Sequence, residues 1–150
     1  MPLIKNKALS DNSWTFVADE NPLPHGDISV SLQRWQAEKD AVLQHDGHHG
    51  VRLSPADSVD ALANDLDKLD LIELDFPLFK DGRCFSQARL LRDKYHYQGE
   101  IRAVGRFLTD QVFYLHRVGF NAFELDSARD VDLALAALND FSVRYQASSQ

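Results

Sequence analysis

The chain has 150 residues, 44% of them apolar and 26% charged, with 23 acidic against 16 basic side chains and a formal charge of -7. That length buries a core without staples, and a lone Cys84 excludes an intrachain disulfide framework. The longest apolar run, residues 133–138, is far below the roughly 20 residues of a membrane span; no secretory signal is read in MPLIKNKALSDNSW, and the acidic balance is opposite to a general nucleic-acid binder's, so a reducing cytoplasm is the expected compartment.

In chain order, LIKNKAL and WTFV flank Asn12-Ser13, which predicts an N-terminal hairpin or edge extension within residues 1–24, closed by Pro22 and Pro24. Five segments then alternate apolar and polar residues as half-buried strands do: 28–32 (ISVSL), 51–53 (VRL), 72–76 (IELDF), 101–104 (IRAV) and 123–126 (FELD). Helical patterns lie between them. Trp35, Val42 and Leu43 mark a first, weaker helix; Val59, Leu62, Ala63 and Leu66 mark the clearest, behind Ser54-Pro55-Ala56-Asp57 with its capping Ser and a carboxylate three positions on. Leu91 and Tyr95 form a stripe behind Ser86, as Leu108, Val112 and Leu115 do behind Thr109, and Gly99 and Gly119 sit where helices stop. A last helix, capped by Ser127 with Asp130, carries Ala134, Leu138, Phe141 and Tyr145 on one face, before a frayed tail at 147–150.

Strand starts spaced by 23, 21, 29 and 22 residues have the rhythm of successive βα units, hence a mostly parallel sheet in one domain whose core spans 25–146. A sheet covered on both faces has strands that are apolar on both sides. Here one side offers Ile28, Val30, Val51, Leu53, Ile72, Leu74, Phe76, Ile101, Ala103 and Phe123, and the other Ser29, Ser31, Arg52, Glu73, Asp75, Arg102, Val104 and Glu124. The expected fold is therefore an open, curved, half-barrel-like α/β sheet with helices on one face. Its charged face must be wet, covered by the N-terminal extension or matched to a second copy in a homodimer, with Glu73, Asp75 and Arg102 able to pair across strands.

Charge is also uneven along the chain. Residues 80–106 carry a net +4 and the remainder -11, a distribution that attracts a small anion or an acidic partner surface. In parallel sheets ligands collect beyond the carboxyl ends of strands. The long loop after Phe76 brings Lys80, Asp81, Gly82 and Arg83 there and ends at Ser86, read as a helix start; the loop after Val104 brings Gly105 and Arg106 towards Thr109 and Asp110. Arg offers bidentate donors to an oxyanion, and the competing arrangement pairs Arg83 and Arg106 with Asp81, Asp110 or Asp126. Asp75 and Asp110 are the candidate acid–base residues if the chain is an enzyme.

Other groupings are weaker. His45, His48 and His49 lie in a helix-to-strand loop without a second ligand cluster and read as a solvated turn, so no metal is expected. Cys84 reads as a semi-buried thiol. No dinucleotide fingerprint, Walker loop or CxxC pair is present, so no cofactor is expected and any redox role would borrow one from a partner.

FKDGRCFSQARLLR (79–92), GEIRAVG (99–105) and DQVFYLHRVGFNAFEL (110–125), with the early Trp14 and GDISVSLQRW, closely resemble a bacterial family, domain of unknown function 934. Members are typically encoded beside sulfite reductase and other sulfate-assimilation genes and labelled oxidoreductases of sulfite reduction, a label resting on gene neighbourhood. The resemblance implies an accessory protein of assimilatory sulfite reduction that binds a sulfur oxyanion or docks a sulfite reductase component. Arg106 and Cys84 depart from the family pattern, which leaves Lys80, Asp81, Arg83, Ser86, Arg102, Asp110 and Gln111 as the positions to follow. A half-barrel enzyme acting on a phosphorylated or sulfated metabolite, and a structural dimer without chemistry, are the alternatives.

Overall fold

Asn6 and Lys7 both take positive φ, 53° and 67°, the pairing a two-residue type I′ turn requires. In the computed structural model, which describes residues 2–79 and 81–148 and the side chains up to Asn139, that turn joins β1 (Leu3–Lys5) to β2 (Ala8–Ser10). The hairpin thus turns at Asn6-Lys7 and not at Asn12-Ser13, because Asn tolerates a left-handed backbone while Asn12 is spent accepting the Trp14 N–H. Thr15–Phe16, the expected second arm, forms β3 on a different strand altogether.

The five expected strands are β4 (Ile28–Ser31), β5 (His49–Leu53), β6 (Leu71–Phe76), β7 (Glu100–Gly105) and β8 (Ala122–Glu124). One eight-stranded sheet runs in the order β2-β1-β8-β7-β6-β5-β4-β3, parallel throughout from β3 to β8, with β1 antiparallel to both its neighbours. β2 and β3 stand at opposite ends of that order yet are separated by residues 11–14 alone. Five Cα steps reach at most about 19 Å, whereas eight flat strands at about 4.8 Å would hold their edges about 34 Å apart. The sheet must therefore curl into a half-barrel, with residues 11–14 strapped across its open side.

The outer face packs against α1 (Leu32–Gln44), α2 (Arg83–Arg89), α3 (Val112–Val118) and α4 (Ala128–Ser148). Val51, Ile72 and Ile101 are fully buried there beside Trp35, Leu91 and Leu115, each contributing roughly 1.5–3 kcal/mol. Phe76 lies 5.8–6.1 Å from the rings of Phe85, Phe107 and Phe120. In α4, Ser127 caps as expected, accepting the Asp130 N–H, and Ala134 and Leu138 are buried; the side chains of Phe141 and Tyr145, and residues 149–150, lie outside the described residues.

Three helix expectations change. Residues 59–66 form not an α-helix but two short 3-10 turns, Val59–Leu62 and Leu66–Lys68. The break comes where the Asp65 carboxylate turns away to take the Trp35 indole N–H and the Lys39 and Lys68 ammoniums. The helix placed behind Ser86 starts at Arg83, Ser86 lying within it, because the Asp81 carboxylate accepts the Arg83 N–H just before Gly82 at the cap position. It widens into a π turn at Leu90–Lys94 and stops before His96, whose φ of 54° ends it ahead of Gly99.

Of the three ways to accommodate the charged face, the structure uses the N-terminal extension. Arg52 pairs with Glu73 directly across β5 and β6 at 3.1 Å, Ser29 donates to the same carboxylate at 2.5 Å, and Phe16 covers the Arg52 guanidinium at 4.0 Å. Fully buried Arg102 reaches Glu100 at 2.7 Å and Asn12 of the strap at 3.1 Å. Among the described residues no helix is long and apolar enough to cross a membrane.

Candidate functional site

Backbone geometry first brings the β6 and β7 ends together. Gly105 takes φ of 90°, and a side chain there would meet the Phe76 carbonyl at 2.5 Å and the Asp75 carboxylate at 2.6 Å; the Arg106 N–H then donates to the Phe76 carbonyl at 2.7 Å. The two loops are tied farther out by Gln111, whose amide donates to the Phe79 carbonyl and accepts the Leu108 N–H. Gln111 thus joins the two strand-end loops that the sequence singled out.

The charged residues there behave individually. Arg83 makes a fork with Asp81, Nε to Oδ1 at 3.0 Å and a guanidinium nitrogen to Oδ2 at 2.8 Å. This bond holds the Asp81 carboxyl below, and the Arg83 guanidinium above, their ordinary values. Arg106 is exposed and makes no side-chain hydrogen bond or ion pair among the described residues. Ser86 is in the body of α2, and Lys80 lies outside the described residues. Arg102 does not join this group: it points to the inner face, committed to Glu100, with Glu124 at 3.7 Å.

Asp75 sits half-buried at the C-terminal end of β6, with no side-chain hydrogen bond among the described residues. Burial raises its carboxyl above the ordinary range, Arg52 opposing and Glu73 reinforcing the shift. Asp110 is exposed, on the wall of an otherwise largely apolar cleft of about 410 Å³ formed with Leu108, Leu133 and Ala137. The two carboxyls therefore occupy different surroundings. Cys84 is buried against the Asp75 carbonyl, and desolvation pushes its thiol up to about 12, leaving no thiolate at neutral pH.

The histidines divide similarly. His45 has its two ring nitrogens 2.6 and 2.9 Å from the Val42 and Gly26 carbonyls; His48 is exposed and bonds Asp27 at 3.0 Å; His49 is half-buried, stacked on Trp35. No group of three His, Cys, Asp or Glu among the described residues could hold a metal ion.

What charge counting missed is apolar. Leu78 (60% exposed), Phe79, Leu108 and Tyr114 (52%) project from the two loops and α3, and Leu133 extends them onto α4. Phe85 packs edge-on against Tyr114, and Arg89 approaches its hydroxyl. The signal in the sequence was small: Leu78 and Phe79 are large apolar residues in a polar loop, outside any strand or helix period.

Residues 50–150 match the model of a family described as bacterial protein of unknown function (DUF934), about two-thirds of the chain, and the chain belongs to that family. No curated protein matches the chain.

Proposed function

We propose that this member of the DUF934 family is an accessory protein of assimilatory sulfite reduction that docks a sulfite reductase component through the loops after β6 and β7. The observation that carries the docking mode is the exposure of Leu78, Phe79, Leu108 and Tyr114 on the two loops, tied together by Gln111, and on α3, with Arg89 reaching the Tyr114 hydroxyl and Arg83 and Arg106 exposed at the same strand ends. Monomeric surfaces seldom leave such neighbours wet without a use, and an apolar centre with an arginine rim is the make-up of a recognition surface. Docking is favoured over capture of a free oxyanion because Arg83 already holds Asp81 and Arg102 already holds Glu100. The reductase as partner rests on the family resemblance, and the basic rim suits an acidic redox-protein surface.

The test is direct binding of purified sulfite reductase to the immobilised protein by interferometry at low and moderate salt. Wild type should bind, more weakly as salt rises. Phe79→Asp and Leu108→Asp should each weaken it by about tenfold or more, and Arg83→Ala with Arg106→Ala should flatten the salt dependence. Absence of binding, or binding indifferent to all four changes, refutes the reading; saturable calorimetric heats with millimolar sulfite would instead support the oxyanion version.

One observation favours the enzyme reading. Asp75, raised by burial at the strand-end opening, is poised as a proton donor on a sulfated or phosphorylated metabolite. Asp75→Asn separates the two readings, since it leaves docking intact and removes such turnover.

A further inference from the structure

The half-barrel has a second opening where the strands begin, opposite the loops just described. Each parallel strand contributes its entrance residue to the rim: Trp14 before β3, Asp27 before β4, His48 before β5, Asp70 before β6, Glu100 at the start of β7 and Asn121 before β8. They surround a polar cleft of about 610 Å³, completed by Lys5 and Asn6 of the hairpin.

Most of the charge in this mouth is matched internally. Lys5 lies 3.1 Å from Glu100, which also takes Arg102. His48 donates to one Asp27 oxygen at 3.0 Å while the Ser13 hydroxyl donates to the other at 2.9 Å. Asp70 differs: its backbone N–H and carbonyl are used by His49 and Glu100, but its carboxylate has no hydrogen bond or ion pair among the described residues. The Trp14 indole N–H and the Asn6 side-chain amide are likewise unengaged, and the Asn121 amide accepts one bond, from the Ile101 N–H, leaving its NH₂ free. Beyond these bonds the mouth offers the Asp70 carboxylate, the Trp14 ring and the amides of Asn6, Asn121 and Gln98, the last already donating to the His96 carbonyl.

A free anion finds the Lys5 ammonium already held by Glu100 and faces the carboxylates of Asp27, Asp70 and Glu100. A neutral polyol satisfies the amides but not Asp70. We propose that this cleft binds a small hydroxylated amine, its ammonium against Asp70 and its hydroxylated body over Trp14, within reach of Asn6 and Asn121. An ammonium near an aromatic face gains from the ring quadrupole as well as from the carboxylate, and hydroxyls supply both donors and acceptors to the amides. This site lies at the opposite end of the barrel from the docking surface and does not rest on it.

The two tryptophans make the test clean. Trp35 is fully buried and hydrogen-bonded to Asp65, so a ligand-dependent change in emission reports Trp14. Glucosamine is the probe, with glucose as its uncharged counterpart. Glucosamine should give a saturable change in emission, with glucose weaker by about tenfold or more. Asp70→Asn, at an exposed position that leaves the fold intact, should bring glucosamine down to the level of glucose, and Trp14→Phe should abolish the emission change. The proposal is overturned if glucosamine gives no saturable response up to about 20 mM, if glucose binds as well, or if Asp70→Asn changes nothing. Sulfite reductase binding measured on Asp70→Asn should match wild type.

Discussion

Replacing Arg102 by Met tests whether the inner face is held by charge compensation or merely tolerates it. Arg102 is 1% exposed, donates twice to Glu100 at 2.7 and 2.8 Å, and reaches Asn12 of the strap. Met has a similar length and no charge, so the substitution leaves Glu100, 7% exposed, with Lys5 as its remaining cation. Removing one partner from a buried ion pair costs roughly 3–5 kcal/mol, and the Lys5 contact sets the expectation near the lower end, about 3 kcal/mol. For a chain of this size that is a fall of about 6–12 °C in Tm. Adding Glu100→Gln removes the nearer and more deeply buried of the two carboxylates that lose Arg102, Glu124 being the other, and should recover about half of the loss or more. Urea denaturation at neutral pH of the two single variants and the double, each with and without millimolar sulfite, makes the measurement. A loss below about 1 kcal/mol for Arg102→Met, or a double variant no more stable than that single, refutes the reasoning. A sulfite-dependent gain in wild type that vanishes in Arg102→Met would show the guanidinium free for an oxyanion, and would sink the preference for docking.

Two further outcomes concern titration and reactivity. Desolvation holds His49 and His116 below the ordinary imidazole value of 6.5, so on acidification the unfolded chain takes up protons there before the folded one does. Stability should be fully present above that value and fall as pH drops below it; His49→Gln with His116→Gln should flatten the fall in Tm between about pH 7 and 5, whereas the raised His48, on the exposed Asp27 pair, acts weakly in the opposite sense. Cys84 should resist a thiol-specific reagent in the native protein and react at once in denaturant; stoichiometric labelling of the folded chain at neutral pH would contradict its burial.

The strands and the polarity of their faces were legible because a period of two is a local property: Ile28 and Val30, Ile72 and Leu74 point one way whatever the fold. The 3-10 turns over residues 59–68 were not, because what breaks the helix is Asp65 reaching Trp35, thirty positions earlier. The same reason hid the strap, since nothing local to WTFV says that its strand partner is β4 and not β2. The pairing of Arg83 with Asp81 was one of the arrangements the charges allowed, whereas the turn of Arg102 onto Glu100 was not, nor was the exposure of Leu78, Phe79 and Leu108 at these loops. The opposite mouth was invisible for a stronger reason: Trp14, Asp27, His48, Asp70 and Asn121 share a rim through strand register alone, and no spacing in the chain marks them.

The pairing of β1 with β8 joins residues 3–5 to 122–124. During synthesis β1 therefore emerges with its hairpin partner and waits for nearly 120 further residues before its other edge is met. Until then β1 presents Leu3 and Ile4, both fully or nearly fully buried in the finished protein, to whatever surrounds the nascent chain. The βα unit that opens with β8 cannot be completed without a strand made nearly 120 residues earlier, so assembly there runs against the order of synthesis. Such long-range closure slows folding and lengthens the exposure of an unpaired edge. The same arrangement makes the hairpin a latch: the barrel's far wall is fastened by a segment made long before the strand it closes on.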